Sequence, residues 1–161
     1  MKFLINSLAL IFVLSFSACS VSNEVRSTKK QIKGDWVLQT ITTEGITGVA
    51  KTTIFDEAEF GCFIGSEWNF ASNKNMGSYN LVDKSKDCVM LKRYIRWSLD
   101  EPKDLPKQFQ FNRLDDQFNI IGSGDGYKLT VTELDHDHMK LRSDQVFSGT
   151  SGAIIYNFVR K

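Results

Sequence analysis

The chain of 161 residues carries 20 basic and 19 acidic residues, so its net charge of +1 provides no basic field to attract nucleic acid. Twelve Phe, four Tyr and three Trp against only two Pro favour β structure. The length is that of a single domain.

The beginning of the chain has the layout of an export signal. Lys2 supplies a positive charge, and an almost unbroken apolar run extends from Phe3 to Phe16. Small residues, Ser17 and Ala18, follow as in a cleavage site. The apolar run is shorter than the roughly 20 residues that a transmembrane helix needs. We therefore predict a signal peptide over residues 1–18.

Cys19 follows the predicted cleavage site directly. The segment Phe16–Cys19 resembles the lipobox of bacterial lipoproteins, although Leu is usual in the place of Phe16. The resemblance implies a diacylglycerol on the Cys19 sulfur, an acyl chain such as palmitate on its amino group, and stable membrane anchoring in the bacterial cell envelope. An Asp in place of Ser20 would resemble an inner-membrane retention signal, so Ser20 favours the outer membrane, facing the periplasm or the cell surface. The alternative is an ordinary secreted protein with a chance Cys at this position.

A polar segment follows the predicted lipid. Residues 19–30 have no periodicity, which predicts a flexible tether before a domain over residues 31–161. Cleavage would remove Lys2 and leave 19 basic and 19 acidic residues, so the anchor would be the lipid and not a polybasic patch.

Three cysteines are present, and the lipid would use one of them. Cys62 and Cys88 then remain as a pair in an oxidising compartment. We predict a Cys62–Cys88 disulfide, and the alternative is two free buried thiols. Neither has a neighbouring His in the sequence to activate it as a nucleophile.

Alternating apolar and polar segments, separated by turn-rich stretches, predict short strands. They cover residues 34–41, 66–71, 78–82, 93–99, 108–114, 127–134, 138–143 and 153–160, with a further short strand over 117–121. Ile54–Phe60 has the spacing of a short helix. These elements predict an all-β fold, a single antiparallel up-and-down β-barrel of about eight strands with a short helix. A sandwich is the alternative.

Three motifs of this domain resemble those of bacterial lipocalin-like domains. Gly34-Asp35-Trp36 matches the G-x-W of the first lipocalin strand. Ser66–Phe70 followed by Gly77–Tyr79 resembles a W-x-F…G-x-Y hairpin, and residues 153–161 resemble the closing strand. The resemblance implies a lipocalin-like (calycin-like) barrel closed by Gly34, Trp36 and Arg160, with Arg160 packed across the Trp36 ring. Typical lipocalins carry a C-terminal helix that this sequence lacks, so no ligand is transferred.

Several aromatic residues are candidates for lining a ligand cavity. They are Trp68, Tyr79, Trp97, Phe109 and Phe111. The alternative is core packing, because an eight-stranded barrel is narrow enough for its own side chains to fill.

His136 and His138 are weak candidates for metal ligands. They lie two residues apart, on one face of a strand, beside Asp135 and Asp137. No third strong ligand is nearby, and a polar hairpin tip is the alternative. The sequence assigns no catalytic residue, metal or cofactor.

Two functional hypotheses follow from these features. The first is a membrane-anchored binding protein for a small hydrophobic or amphipathic molecule, acting without catalysis. The alternative is a protein–protein interaction or inhibitor module of the cell envelope with a filled barrel. An open apolar interior would favour the first, and a packed interior with an exposed apolar patch the second. We expect a monomer that binds no nucleic acid.

Overall fold

The computed structural model describes residues 23–46, 53–71, 74–82, 88–147 and 149–161. The predicted signal peptide, Cys19 and Ser20 lie outside these ranges. Within the ranges, no helix has the length and apolar character needed to cross a membrane.

The described part of the chain contains two helices and ten strands. In chain order they are α1 (Asn23–Ile32), β1 (Gly34–Glu44), β2 (Thr53–Ile54), β3 (Ala58–Glu59), α2 (Phe60–Phe63), β4 (Glu67–Phe70), β5 (Met76–Leu81), β6 (Leu91–Asp100), β7 (Gln108–Leu114), β8 (Tyr127–Leu134), β9 (His138–Phe147) and β10 (Thr150–Arg160). All except β2 and β3 form one sheet, in which successive strands pair antiparallel and β10 returns to pair with β1. This closed up-and-down barrel of eight strands confirms the predicted fold class.

The barrel interior is filled by side chains from alternate strand positions. On β7, Phe109 and Phe111 are buried while Gln108 and Gln110 are partly exposed. This period of two is the reason that the aromatic-rich segments form strands: one face of each strand packs into the core and the other meets water. The core is therefore a cluster of aromatic and aliphatic side chains along the barrel axis.

One end of the barrel, where β1 begins and β10 finishes, is sealed by α1. We call it the closed end. The Trp36 ring is fully buried there and its indole N–H donates to the Ile32 carbonyl at 2.7 Å. The Arg160 guanidinium lies 4.2 Å from the Trp36 ring and donates to the carbonyls of Gln31, at 2.6 Å, and Lys33, at 3.0 Å. The contact that the lipocalin resemblance implies is thus present, and Arg160 also joins the last turn of α1 to the barrel.

Gly34, the first residue of the G-x-W motif, is required by this closure. Its φ of +122° is a conformation that L side chains rarely adopt. A Cβ built on Gly34 would lie 2.8 Å from the Arg160 guanidinium. The backbone conformation therefore disfavours a side chain here, and any Cβ would also force the Arg160 guanidinium to move from this position.

The prediction of a flexible tether over residues 19–30 was wrong for residues 23–30, which belong to helix α1. Residues 19–22 lie outside the described ranges. Val25, Thr28 and Ile32 recur at helical spacing and are buried against the barrel. Glu24 lies in the first turn and two Lys residues in the last, where each charge complements the helix dipole. A short polar helix of this kind is stable because its one apolar face packs on the barrel. The periodicity of the sequence does not reveal this tertiary contact.

Two further predictions were wrong. Residues 54–60 do not form a helix: β2 and β3 make a two-stranded hairpin, and the short helix α2 follows only from Phe60. Residues 117–121 form no strand beyond a single bridge between Ile120 and Leu114. Contacts between the hairpin and the barrel, described next, explain the first difference.

Candidate ligand site at the barrel mouth

The end of the barrel opposite α1 is covered by the β2–β3 hairpin. We call this end the mouth, and residues Thr53–Glu59 the mouth hairpin. Its tight turn has Phe55 and Asp56 at the central positions, with φ of 52° and 45°, and the Glu57 N–H donates to the Ile54 carbonyl at 3.2 Å. Two consecutive positive φ values are typical of the turns that join tightly twisted strands.

The Phe55 side chain is inserted into the barrel. It is 7% exposed and contacts five aromatic rings, with ring centroids 5.1–6.2 Å away. These rings belong to Phe63, Trp68, Phe111, Tyr127 and Tyr156. Phe55 therefore acts as a plug between the core and the mouth.

The conformation of Phe55 is strained. A bulky L residue in the left-handed region pays roughly 1–2 kcal/mol because its Cβ crowds the following carbonyl. The burial of the ring and the interactions of the next two residues offset this strain. Such strain often marks a functional segment.

The Glu57 carboxylate is held by three side chains from the barrel wall. The Arg93 guanidinium donates to both carboxylate oxygens, at 2.7 and 2.8 Å, and the Tyr79 hydroxyl donates to Oε2 at 2.7 Å. Arg113 lies 3.4 Å from the same oxygen. We call Tyr79, Arg93 and Arg113 the cradle. The Glu57 side chain is only 8% exposed, so this is a desolvated ion pair in the mouth.

Register explains how the cradle forms. Tyr79 on β5 is paired with Arg93 on β6, and Ile95, two residues further along β6, is paired with Arg113 on β7. Arg93 is in phase with the buried residues of β6, and Arg113 with Phe109 and Phe111 on β7. The alternation therefore directs both guanidinium groups to the inner side of the barrel near its mouth.

The electrostatics of the cradle favour an ionised carboxylate. Burial by itself raises the pKa of Glu57, but the hydrogen bonds from Arg93 and Tyr79 and the two guanidinium charges outweigh it, so the pKa stays below its ordinary value. Burial and the hydrogen bond to Glu57 raise the pKa of Tyr79, which remains a donor. The hydrogen bond to Glu57 likewise raises the pKa of Arg93.

Asp56 is fixed by the same wall. Its carbonyl accepts a hydrogen bond from Arg113 at 2.9 Å, and its carboxylate accepts one from the Tyr127 hydroxyl at 2.8 Å. Burial, followed by this hydrogen bond, raises the pKa of Tyr127 to about 12. The Arg113 Nε is buried and has no hydrogen-bond partner among the described residues.

A pocket of about 370 Å³ lies beside Phe55 in the mouth. Its wall combines apolar side chains from three strands with polar groups at the rim. The apolar members include Leu129, Phe147, Ile154 and Tyr156, and the polar members include Asp56, Lys128, Ser143 and Gln145. Its volume is within the range of small-molecule sites.

The five aromatic candidates for ligand binding lie deeper in the barrel. Trp68, Tyr79, Trp97, Phe109 and Phe111 are each at most 3% exposed and pack on one another or on neighbouring rings. They form the packed core, the alternative given by the sequence, and only Tyr79 also reaches the polar site. The pocket at the mouth uses other residues.

The predicted disulfide between Cys62 and Cys88 is present, with the two Cα atoms 5.5 Å apart. It joins helix α2, immediately after the mouth hairpin, to the segment before β6. The bridge therefore holds the segment that carries the plug against the wall that carries the cradle.

His136 and His138 lie at the other end of the barrel, in the β8–β9 turn. Both are exposed, with Nδ1 atoms 2.7 Å from Asp137 and 3.4 Å from Asp135 respectively. The described residues include no group of three or more His, Cys, Asp or Glu placed to hold a metal ion. Asp135 instead caps the turn by accepting hydrogen bonds from the Asp137 and His138 N–H groups.

Sequence reasoning missed Phe55, Glu57, Arg93 and Arg113 as site residues. A signal was present: Arg93 and Arg113 occupy inward positions on adjacent strands, where a charge needs a partner. The partner is Glu57, which lies in the mouth hairpin, a segment for which the sequence pattern predicted a helix.

Some solved structures are similar to this chain at low sequence identity. No family model and no curated protein matches the chain. A lipocalin-like protein from Bacteroides uniformis is similar at 13% identity and a TM-score of 0.46, over 81% of this chain and 99% of that one. Bovine odorant-binding protein in complex with a selenium-containing odorant is similar at 12% identity and 0.43, over 88% of this chain and 78% of that one.

The fold is lipocalin-like. This assignment stands on the strand pairing itself: eight antiparallel strands in sequence order, closed by β10 on β1. The G-x-W glycine and the Arg160–Trp36 contact at the closed end are further features of such a barrel.

Proposed function

We propose that this protein is a lipid-anchored protein of the bacterial cell envelope that binds a small amphipathic molecule at the mouth of its barrel, without catalysis. The observation that carries the proposal is the mouth pocket of about 370 Å³, which is lined in part by Phe55, a residue whose ring also packs on the aromatic core. Displacement of this ring would extend the pocket towards the core.

The composition of the pocket supports an amphipathic ligand. Leu129, Ile154 and Tyr156 offer an apolar wall, whereas Asp56 and Lys128 offer charges at the rim. A few polar groups around an apolar surface are typical of sites that orient a small molecule.

The predicted lipid anchor would orient the barrel relative to the membrane. Only three residues separate Cys19 from α1, whose Glu24 is 2.5 Å from Lys107 at the closed end. A lipid on Cys19 would therefore hold the closed end near the membrane, because the four Cα–Cα steps from Cys19 to Asn23 span at most about 14 Å. The mouth would face away from the membrane surface and take its ligand from the aqueous side.

A specific observation favours the alternative of a protein partner. The interior is packed, and a groove of about 500 Å³ lies on the outer face of β5 and β6. Its apolar members are Ala71, Met76, Tyr94 and the half-exposed Phe118, flanked by Lys74 and Arg96. An apolar surface of this kind is a feature of interaction sites.

Native mass spectrometry of the protein extracted from its membrane tests the ligand proposal. We expect a bound species of lipid-like mass, which is lost when Ser143→Phe fills the mouth pocket. Ser98→Phe adds the same ring on the outer face of β6 and is the matched control. Binding that survives Ser143→Phe, or no bound species in either protein, would overturn the proposal.

The anchor has its own test. Cys19→Ala should abolish lipid labelling and release the protein from the membrane fraction. The predicted mature chain carries equal numbers of basic and acidic residues, so no net positive charge would hold it at an anionic membrane surface. Unchanged processing and membrane association of this variant would show that the lipobox assignment is wrong.

A further inference from the structure

The mouth hairpin presents two groups to the barrel wall at once. The Phe55 ring enters an aromatic cluster, and the Glu57 carboxylate enters the cradle two residues later. One short segment of the chain therefore combines an apolar body and a carboxylate in the arrangement of a small amphipathic acid.

The cradle has more capacity for negative charge than Glu57 uses. Two guanidinium groups, Arg93 at 18% and Arg113 at 8% side-chain exposure, contact this one buried carboxylate. Arg93 makes the bidentate contact, while Arg113 is 3.4 Å away and keeps a buried Nε without a hydrogen-bond partner among the described residues. A buried unpaired donor is costly, and an anion with a better placed oxygen would satisfy it.

Tyr79 adds a directional donor to this pair of charges. Its ring is fully buried against Trp68, with centroids 4.6 Å apart, and its hydroxyl reaches the carboxylate. The cradle is thus prepared by the barrel wall: all three donors come from paired strands, and only the acceptor comes from the hairpin. Prepared donors of this kind bind carboxylates with little reorganisation.

We propose that the cradle is a carboxylate-binding site that the chain's own Glu57 occupies, and that the ligand is an amphipathic monocarboxylate. Its carboxylate would replace that of Glu57 on Arg93, Arg113 and Tyr79, and its apolar chain would replace the Phe55 ring. This inference rests on the proposed function and names the class of molecule bound at the mouth.

The strain of the hairpin favours such an exchange. Phe55 and Asp56 give up their left-handed φ values when the hairpin leaves the mouth. The released strain offsets part of the free energy lost with the Phe55 contacts. The closed state is then a competitor of the ligand, and the observed affinity is the intrinsic affinity reduced by the fraction of open molecules.

A pair of probes of equal length separates the carboxylate from the apolar chain. We would titrate the full chain with octanoate and with octan-1-ol by isothermal calorimetry at neutral pH. We expect octanoate to bind at least about tenfold more tightly, as a charge-assisted hydrogen bond to buried donors would give. This comparison needs no variant and therefore does not depend on how any variant folds.

Two variants then test the cradle directly. Glu57→Gln removes the competing charge and keeps the side-chain shape, so the ratio of octanoate to octanol affinity should rise by about tenfold. Arg113→Met should reduce the preference for the acid several-fold, because only Arg93 and Tyr79 then remain as donors. Lys92→Met, which removes a positive charge from the outer side of β6, should leave the preference as in the unmodified protein.

The outcomes separate the two proposals. Equal binding of octanoate and octanol, or a ratio that Glu57→Gln and Arg113→Met leave unchanged, would overturn the carboxylate site while leaving a mouth site in place. Failure of both probes to bind would also overturn the carboxylate assignment, and the native mass spectrum would then decide separately whether the mouth binds another molecule.

Discussion

The two ends of the barrel are closed by different interactions. At the closed end, Arg160 donates to neutral backbone carbonyls and covers the fully buried ring of Trp36. At the mouth, a strained hairpin inserts Phe55 and pairs Glu57 with the charges of Arg93 and Arg113. The first closure consists of packing and hydrogen bonds to neutral acceptors, and the second depends on an ionised side chain.

This difference indicates which end is built for stability and which for exchange. The acceptors at the closed end are backbone carbonyls, which do not titrate, so acid does not remove these hydrogen bonds. A desolvated carboxylate is held only as long as its own charge and its partners remain, and the loss of either leaves an unpaired buried charge. Substitutions at the two ends should therefore have different consequences.

The largest effect is expected at the closed end. Trp36→Ala should reduce the free energy of unfolding by about 3–5 kcal/mol, because it removes a fully buried ring and the platform under Arg160. Urea denaturation followed by far-ultraviolet circular dichroism measures this loss. A reduction below about 1 kcal/mol would show that α1 and Arg160 seal the barrel without the ring.

Loss of the disulfide should rank next. Replacing Cys62 and Cys88 by Ser should reduce the free energy of unfolding by about 3.5 kcal/mol, since the bridge joins residues 26 apart in the sequence. The unmodified protein in reducing buffer is the matched control and should unfold at the same urea concentration as the double variant. Different midpoints would mean that the serines act by something other than loss of the bridge.

Removal of the plug should have a smaller net effect. Phe55→Gly loses the buried ring but relieves the left-handed strain, so we expect a loss of about 2 kcal/mol in the free energy of unfolding. Phe70→Ala, which removes a similarly buried ring near the closed end from unstrained backbone, should reduce stability more. Thermal denaturation of the two variants compares them, and equal losses would contradict the strain argument.

The smallest effect is expected from acid. The pKa of Glu57 is below its ordinary value of 4.5 in the folded protein, so its contribution to stability is complete above pH 4.5 and is lost as the pH falls through the lowered pKa. Tryptophan fluorescence near Phe55, from Trp68, should change in that acidic range. Glu57→Gln should show a smaller change, and identical titrations would show that other carboxylates are responsible.

The predictability of the fold differed between strands and loops. Alternation in segments such as Gln108–Leu114 predicted β7 with its observed bounds, and the G-x-W motif predicted the Arg160–Trp36 contact. The first signal is local to one strand, and the second concerns a single pair of neighbouring strands, β1 and β10. The same reasoning placed a helix at 54–60, because Ile54, Phe55 and Ala58 have helical spacing, whereas the barrel holds these residues in a hairpin.

Sequence alone predicted the barrel and the pairing of Cys62 with Cys88, and the G-x-W resemblance predicted the Arg160–Trp36 contact, because period-two patterns, short motifs and cysteine arithmetic need no knowledge of distant contacts. It did not predict that α1 seals the closed end. Only the tertiary structure decided that the interior is filled, that Phe55 plugs the mouth and that Glu57 lies between two arginines. Arg93 and Arg113 are 36 and 56 residues from Glu57 in the chain. The free energy of a buried charge depends on such distant partners, and no local pattern encodes it.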